Sequence, residues 1–217
     1  MICWIASWPR CGNTLCRLVL QDTLGVRTYS KYAEQDMMFA FGPAAALFGN
    51  EWRVEVYNAY DKSDKLWFIK THEAPMDGNP AIYVARDGRD ACVSLSHFAN
   101  QPIQGAILGV NSPFPNWSCH YWSWQPHTRP HTLLVKFGDL LEKPDQVADQ
   151  VGAMFGIEPR KKFENHFDRL HLTSPGMFRV GKRGSWQEEM NEEDLALFWN
   201  CHGEVMERLG YGVEDLK

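Results

Sequence analysis

No stretch of this chain approaches the roughly 18 consecutive apolar residues that a membrane-spanning helix needs. The N-terminus lacks the basic, then apolar, then small-residue order of a secretory signal. These absences lead us to expect a soluble cytoplasmic protein with no membrane partner. The six cysteines, Cys3, Cys11, Cys16, Cys92, Cys119 and Cys201, form no CxxC pair and show no regular spacing. Neither a zinc site nor a disulfide framework is indicated, and thiols mostly buried in a reducing compartment are the expected state. Excess positive charge is lacking too, since 22 Lys and Arg face 27 Asp and Glu for a net charge of −5. That argues against a general polyanion or nucleic-acid binder, so any anion site must be a local concentration of basic groups. No internal repeat, no low-complexity tract and no G-x-x-x-x-G-K-[ST] loop is present.

What is present suits one domain over residues 1–217 with a core of its own. Ile2 to Ser7 is a short apolar run that reads as a buried strand. Leu15, Leu18, Val19 and Leu24 follow at helical spacing, with Gly25 as a stop. Residues 28–64 carry no clear period. Leu66 to Lys70 reads as a second strand ending in Thr71-His72, Ala81 to Ala85 as a third, and Gly88 to Phe98 as a helix. Gln101 to Pro115 reads as an irregular loop, Asn116 to Trp124 as a helix and Leu133 to Phe137 as a fourth strand. From residue 144 the pattern turns helical, with a stripe of Val147, Val151, Met154 and Phe155. A last helix opens at Asn191, an N-cap with acidic residues in its first turn. Alternating strands and helices predict an α/β fold, a central parallel sheet of about four or five strands flanked by helices. Ligands of such sheets bind beyond the C-terminal strand ends, where Ser7, Thr71 and Ala85 deliver their loops.

Those loops carry the chemistry. Ser7-Trp8-Pro9-Arg10-Cys11-Gly12-Asn13-Thr14 sets successive backbone N–H groups at a helix N-terminus, an anion site. Arg10 adds a forked donor, and Asn13 and Thr14 add side-chain donors. A plain βα turn with a helix cap is the alternative reading. Arg86 ends the third strand and Ser94 lies eight residues on, a pairing able to hold a phosphate. The alternative for Arg86 is a salt bridge with Asp87 or Asp90. His72, at a strand end between two anion loops, is placed to act as a base, or else simply bonds a loop carbonyl. Phe178-Arg179-Val180-Gly181-Lys182-Arg183-Gly184-Ser185-Trp186 is a Gly- and base-rich segment able to fold over a phosphate, or a solvated basic loop.

Together these four segments resemble the sulfotransferases of the cytosolic and bacterial small-molecule type, which use 3′-phosphoadenosine 5′-phosphosulfate (PAPS). The first is similar to the family's Y-P-K-S-G-T-T-W loop, and Phe68-Ile69-Lys70-Thr71-His72 is similar to its K-T-H element. Ile82 through Arg86, Asp90 and Ser94, followed by Ser96-His97-Phe98, is similar to its 3′-phosphate segment. Arg179-Val180-Gly181 with Gly184-Ser185-Trp186 is similar to its R-K-G-x-x-G-D-W element. The order matches, over about residues 2–190. The resemblance implies a P-loop-like nucleotide-binding core, PAPS as co-substrate and no metal. It also implies in-line sulfuryl transfer with His72 as general base and with Arg10 and Lys70 stabilising the leaving phosphate oxygen. Cofactor contacts are implied for Arg10, Cys11, Gly12, Asn13, Thr14, Leu15, Arg86, Ser94, Phe137, Phe167, Arg179, Val180 and Gly181. Four positions depart from the family pattern: Arg10 stands for the loop Lys, Leu15 for the adenine-stacking Trp, Val180 for the middle Lys and Phe137 for a Tyr. Phe167 is then the candidate for stacking on adenine.

Two other readings remain at this stage, a P-loop ATP-dependent kinase and a non-catalytic nucleotide-binding module. The missing Walker Lys-[Ser/Thr] pair disfavours the first, and His72 disfavours the second. The partner expected is a small-molecule acceptor, with Met37, Met38, Phe39, Trp117, Tyr121 and Trp122 as candidates for an aromatic or apolar acceptor face. For Trp122, as for Trp124, core packing is the favoured role.

Overall fold

Five successive residues of β1 (Ile2–Ala6) are buried, as a parallel strand covered on both faces requires. Because side chains alternate across a strand, Ile2, Trp4 and Ala6 enter one apolar cluster, while Cys3 and Ile5 enter another. In this computed structural model the described residues are 1–32, 50–51, 57–110, 112–173, 175, 178, 179, 181 and 183–212. The first loop leads into α1 (Asn13–Leu24), which Gly25 ends at φ 64°, its N–H bonding Gln21 O. Then come β2 (Thr28–Ser30), β3 (Asn50–Glu51), α2 (Tyr57–Asp61), β4 (Trp67–Thr71) and β5 (Ala81–Ala85). After them follow α3 (Gly88–Ala99), α4 (Ile103–Leu108), α5 (Trp117–Trp124), β6 (Thr132–Lys136), α6 (Phe137–Glu142) and α7 (Pro144–Phe155). The chain closes with α8 (Phe167–Thr173), α9 (Trp186–Glu189) and α10 (Glu192–Arg208).

The sheet order is β3-β2-β4-β1-β5-β6, and every pairing is parallel. Five strands have three or more residues and the edge strand β3 has two, so the expected parallel α/β core is present. Leu20 and Leu24 of α1 pack with Val147, Ala148 and Val151 of α7 on one face, around Phe68 and Val84. The other face holds residues from α3, α4, α5 and α10, among them Ala91, Ile107, Trp117, Tyr121 and Phe198. The chain turns outward in both directions from β1, since β4 lies on one side and β5 on the other. The C-terminal end of β1 therefore opens a crevice at a topological switch point.

Three sequence expectations change. The stretch 101–115 is not wholly irregular, because α4 forms between Pro102 at its N-cap and Gly109 in the left-handed region at φ 74°. Six residues between two breakers are too few to show a period. Trp117 and Tyr121 are buried in the core and not at an acceptor face. Trp122 is 37% exposed rather than core, with the Arg208 guanidinium 4.8 Å above its ring. Met37, Met38 and Phe39 lie outside the described residues, as do Val180 and Lys182. No described helix is long and apolar enough to cross a membrane.

Candidate active site

The first loop turns sharply as it leaves β1. Cys11 N–H bonds Trp8 O at 3.3 Å, with Pro9 second in the turn and Arg10 third at φ 66°. That is the pattern of a type II turn, whose third position normally takes Gly or Asn. An arginine held there is strained. Its side chain is held in turn, Nε donating to Ser94 Oγ at 3.0 Å and the guanidinium lying 4.9 Å from the Phe98 ring centroid. Burial, and then the charges of Arg86 and Arg179, push Arg10 down to about 10.

Gly12 caps α1 at φ 99°, without a side-chain cap among the described residues. The first N–H groups of α1 thus open toward the crevice, as an anion site requires. Any side chain at position 12 would force Phe137 to move, since a Cβ there would sit 2.5 Å from its Cδ2. That ring in turn lies 4.6 Å under the Arg86 guanidinium, whose Nη1 donates to Arg10 O at 3.2 Å. Phe137 therefore fixes both Gly12 and Arg86. Asn13 directs its amide downward, donating to Ile5 O at 2.8 Å and Ser7 Oγ at 3.3 Å. Its side chain ties α1 to the end of β1, which leaves its backbone as the part facing an anion. Cys11 is buried, and burial pushes its thiol up to about 12.

On the other side of β1, β4 delivers Lys70 and His72. His72 Nδ1 lies 2.7 Å from Ser7 O. A carbonyl only accepts, so Nδ1 carries the hydrogen and Nε2 keeps its lone pair. Tyr32 and Phe114 hold the ring on two sides. Tyr32 stacks on it at 5.5 Å and Phe114 meets it edge-on at 5.6 Å. The His72 backbone N–H donates to Tyr32 Oη at 2.6 Å. Burial, then the Lys70 charge, holds His72 well below its ordinary value, so the imidazole is neutral. Lys70 Nζ lies 5.4 Å from the Tyr32 ring centroid. Burial, then the charges of Arg17 and Arg10, pushes Lys70 down to about 7. Arg17 is wholly buried on α1, with Nε bonded to Thr28 Oγ1 at 2.9 Å and both Nη atoms without a hydrogen-bond partner among the described residues.

One cavity of about 660 Å³ joins these parts, a size suited to a nucleotide and a small second ligand. Arg10, Gly12, Asn13, Thr14, Leu15, Lys70, His72, Arg86, Ser94, Phe137, Phe167, Arg179 and Gly181 all line it. Cys11 is buried behind this wall, and Val180 lies outside the described residues. Phe167 stacks on His171 at 5.8 Å, and a Cβ on Gly181, at φ 65°, would strike the Phe167 ring. Arg179 donates to Glu189 Oε1 at 2.8 Å, and Glu189 also bonds His97. Sequence reasoning missed Tyr32 and Phe114 as lining residues, while Phe98 falls in the segment it likened to a 3′-phosphate element. Tyr32 and Phe114 each stand in a stretch without a usable period, so only tertiary structure brings them to the site.

No protein-family model matches the chain. Mouse sulfotransferase 1B1 (Mus musculus) is 24% identical over 197 residues, covering 81% of this chain. The chain spans about 64% of the length of that curated relative. Among solved structures, mouse sulfotransferase SULT7A1 complexed with PAP superposes with a TM-score of 0.63 at 15% identity. That match covers 94% of this chain and 83% of the other. Retinol dehydratase in complex with androsterone and the inactive cofactor PAP gives a TM-score of 0.60 at 17% identity, covering 94% and 80%. These likenesses show that the chain has the fold of the sulfotransferases it superposes on.

Proposed function

We propose that the chain transfers a sulfuryl group from PAPS to a hydroxyl or amine of a small acceptor, as a one-domain enzyme of the cytoplasm. The observation that carries this reading is the shared cavity. A neutral imidazole with its Nε2 lone pair available faces the same space as an uncapped helix N-terminus and four cationic side chains. PAPS, when bound, supplies the sulfuryl group and an anionic leaving group. The residues present fit such a polyanion, since Arg10, Lys70, Arg86 and Arg179 surround the cavity where the α1 N–H groups open.

Within that frame His72 Nε2 takes the acceptor proton as the acceptor oxygen or nitrogen attacks. Ser7 O keeps the other ring nitrogen protonated and the ring in place. Arg10 and Lys70 face charge building on the leaving oxygen, an electrostatic effect set up before reaction. Arg86, Ser94 and Arg179 hold the 3′-phosphate, and Phe167 meets the adenine. Cofactor anions next to His72 and Lys70 raise both groups from their depressed values.

Calorimetry with PAP and with adenosine 5′-phosphate tests the reading. Two or three charge-assisted hydrogen bonds to the 3′-phosphate are expected to make PAP bind about a hundredfold tighter, or about 2.7 kcal/mol. Equal affinities overturn it. A labelled sulfate-transfer screen over phenols, alcohols and amines then finds the acceptor.

Lys70 adds a second expectation. Its ordinary value is 10.5 and its value in the empty site is about 7. At about pH 8 the empty protein therefore holds Lys70 mostly neutral, and PAP binding takes up close to one proton. Binding enthalpies in HEPES and Tris should differ by about the difference in buffer ionisation heat, and Lys70→Met should remove that difference. For folding the sign is opposite to that of PAP binding, since it is the unfolded chain that binds the extra proton. The Lys70 contribution to stability rises as pH climbs from about 7 toward 10.5.

A further inference from the structure

Asp90 occupies the third residue of α3, where an acidic side chain ordinarily folds back onto the N-cap N–H. The last helix shows that ordinary use, with Asp194 Oδ2 accepting from Asn191 N at 3.2 Å. Asp90 does something else. Its Oδ2 accepts from Gly184 N at 2.9 Å, and its Oδ1 accepts from Ser185 Oγ at 3.1 Å and Trp186 N at 3.2 Å. These donors lie 94 to 96 residues away in sequence, at the end of the basic Phe178–Trp186 segment. The carboxylate is 1% exposed, and Arg86 Nη2 stands 3.7 Å from Oδ2.

A buried carboxylate beside a phosphate site is costly unless its charge is answered. Here three donors from one segment and one guanidinium from β5 answer it. We infer that Asp90 is a positioning residue for the 3′-phosphate end of the cofactor, fixing Arg86 against the Arg179–Ser185 segment so that both meet the same phosphate. The inference rests on the PAPS reading above. It predicts a sign opposite to bare electrostatics. Removing a negative charge next to a phosphate site should tighten anion binding if Coulomb forces alone counted. Removing the clamp should loosen it.

The test is Asp90→Asn in the full chain, which keeps shape and one acceptor oxygen while removing the charge. Affinities for PAP and adenosine 5′-phosphate are measured for both proteins. The expected result is PAP affinity weakened about tenfold, the range of one to two lost charge-assisted bonds, with adenosine 5′-phosphate affinity unchanged. An equal loss for both ligands overturns the inference, because a merely structural role moves both. Unchanged or tighter PAP binding overturns it as well. If wild type itself does not distinguish the two ligands, the cofactor reading falls and this inference falls with it. Ser185→Ala, which removes one donor to Asp90, covers the case in which Asp90→Asn fails to fold. It should show a smaller loss confined to PAP, together with faster amide exchange at Gly184 and Trp186. Equal ligand effects, or unchanged PAP affinity, in that variant overturn the inference too.

Discussion

His72→Ala is expected to lower sulfuryl transfer by roughly 10²- to 10⁴-fold, the usual contribution of a positioned general base, while PAP affinity stays nearly unchanged. The split follows from geometry. The imidazole is clamped between Tyr32 and Phe114 and bonded through Nδ1 to Ser7 O, on the β4 side of the first strand. Arg86 and Ser94 stand on the β5 side. Loss of the ring therefore removes the proton acceptor and leaves the 3′-phosphate contacts in place. Arg10→Ala should instead damage turnover and binding together, because Arg10 bonds Ser94 and is proposed to meet the cofactor anion in ground and transition states alike. Single-turnover rates and calorimetry on both variants separate the two roles. Normal turnover in His72→Ala would mean that the acceptor proton leaves by another route, and an acidic acceptor ionising unaided would then be the better account.

Gly12→Ala is expected to be the most damaging small substitution in the site. At φ 99° an L-residue is strained by about 1–2 kcal/mol. The added Cβ would also stand 2.5 Å from the Phe137 ring, so the ring must move, at a further cost of about 1–3 kcal/mol. For a chain of this length about 3 kcal/mol corresponds to a fall in Tm of roughly 6–12 °C. Displacing Phe137 also removes the surface on which Arg86 lies, so PAP affinity should fall with stability. The double variant Gly12→Ala with Phe137→Ala separates the two causes, restoring the space and not the backbone conformation. A thermal melt of Gly12→Ala indistinguishable from wild type would refute the close approach of Phe137.

Much of the candidate site is legible in the sequence. The anion loop, Lys70, His72, Arg86 and Ser94 follow buried strands whose apolar runs are plain, so their place at the sheet edge followed from local pattern. What stayed hidden depends on contacts distant in sequence. Thr28–Ser30 is a strand of three residues, all hydroxyl-bearing, held by pairing with β4 and not by any apolar alternation. Asp90 looked like a partner for Arg86, and its bonds to Gly184, Ser185 and Trp186 had no local sign. Trp117 and Tyr121 looked like pocket walls because aromatic residues serve equally in cores, and only the packing of α5 against α10 decides between them.

The strand order divides the labour of the site along the chain. His72, proposed to take the acceptor proton, follows β4 on one side of β1, and Tyr32, which stacks on its ring, follows β2 on the same side. Of the residues proposed to hold the 3′-phosphate, Arg86 and Ser94 follow β5 on the other side, and Phe137, which lies under Arg86, follows β6. Only the loop after β1 serves both. On the proposed function, one acceptor could be exchanged for another by drift in one half of the sheet, while the half proposed to hold the cofactor stays unchanged.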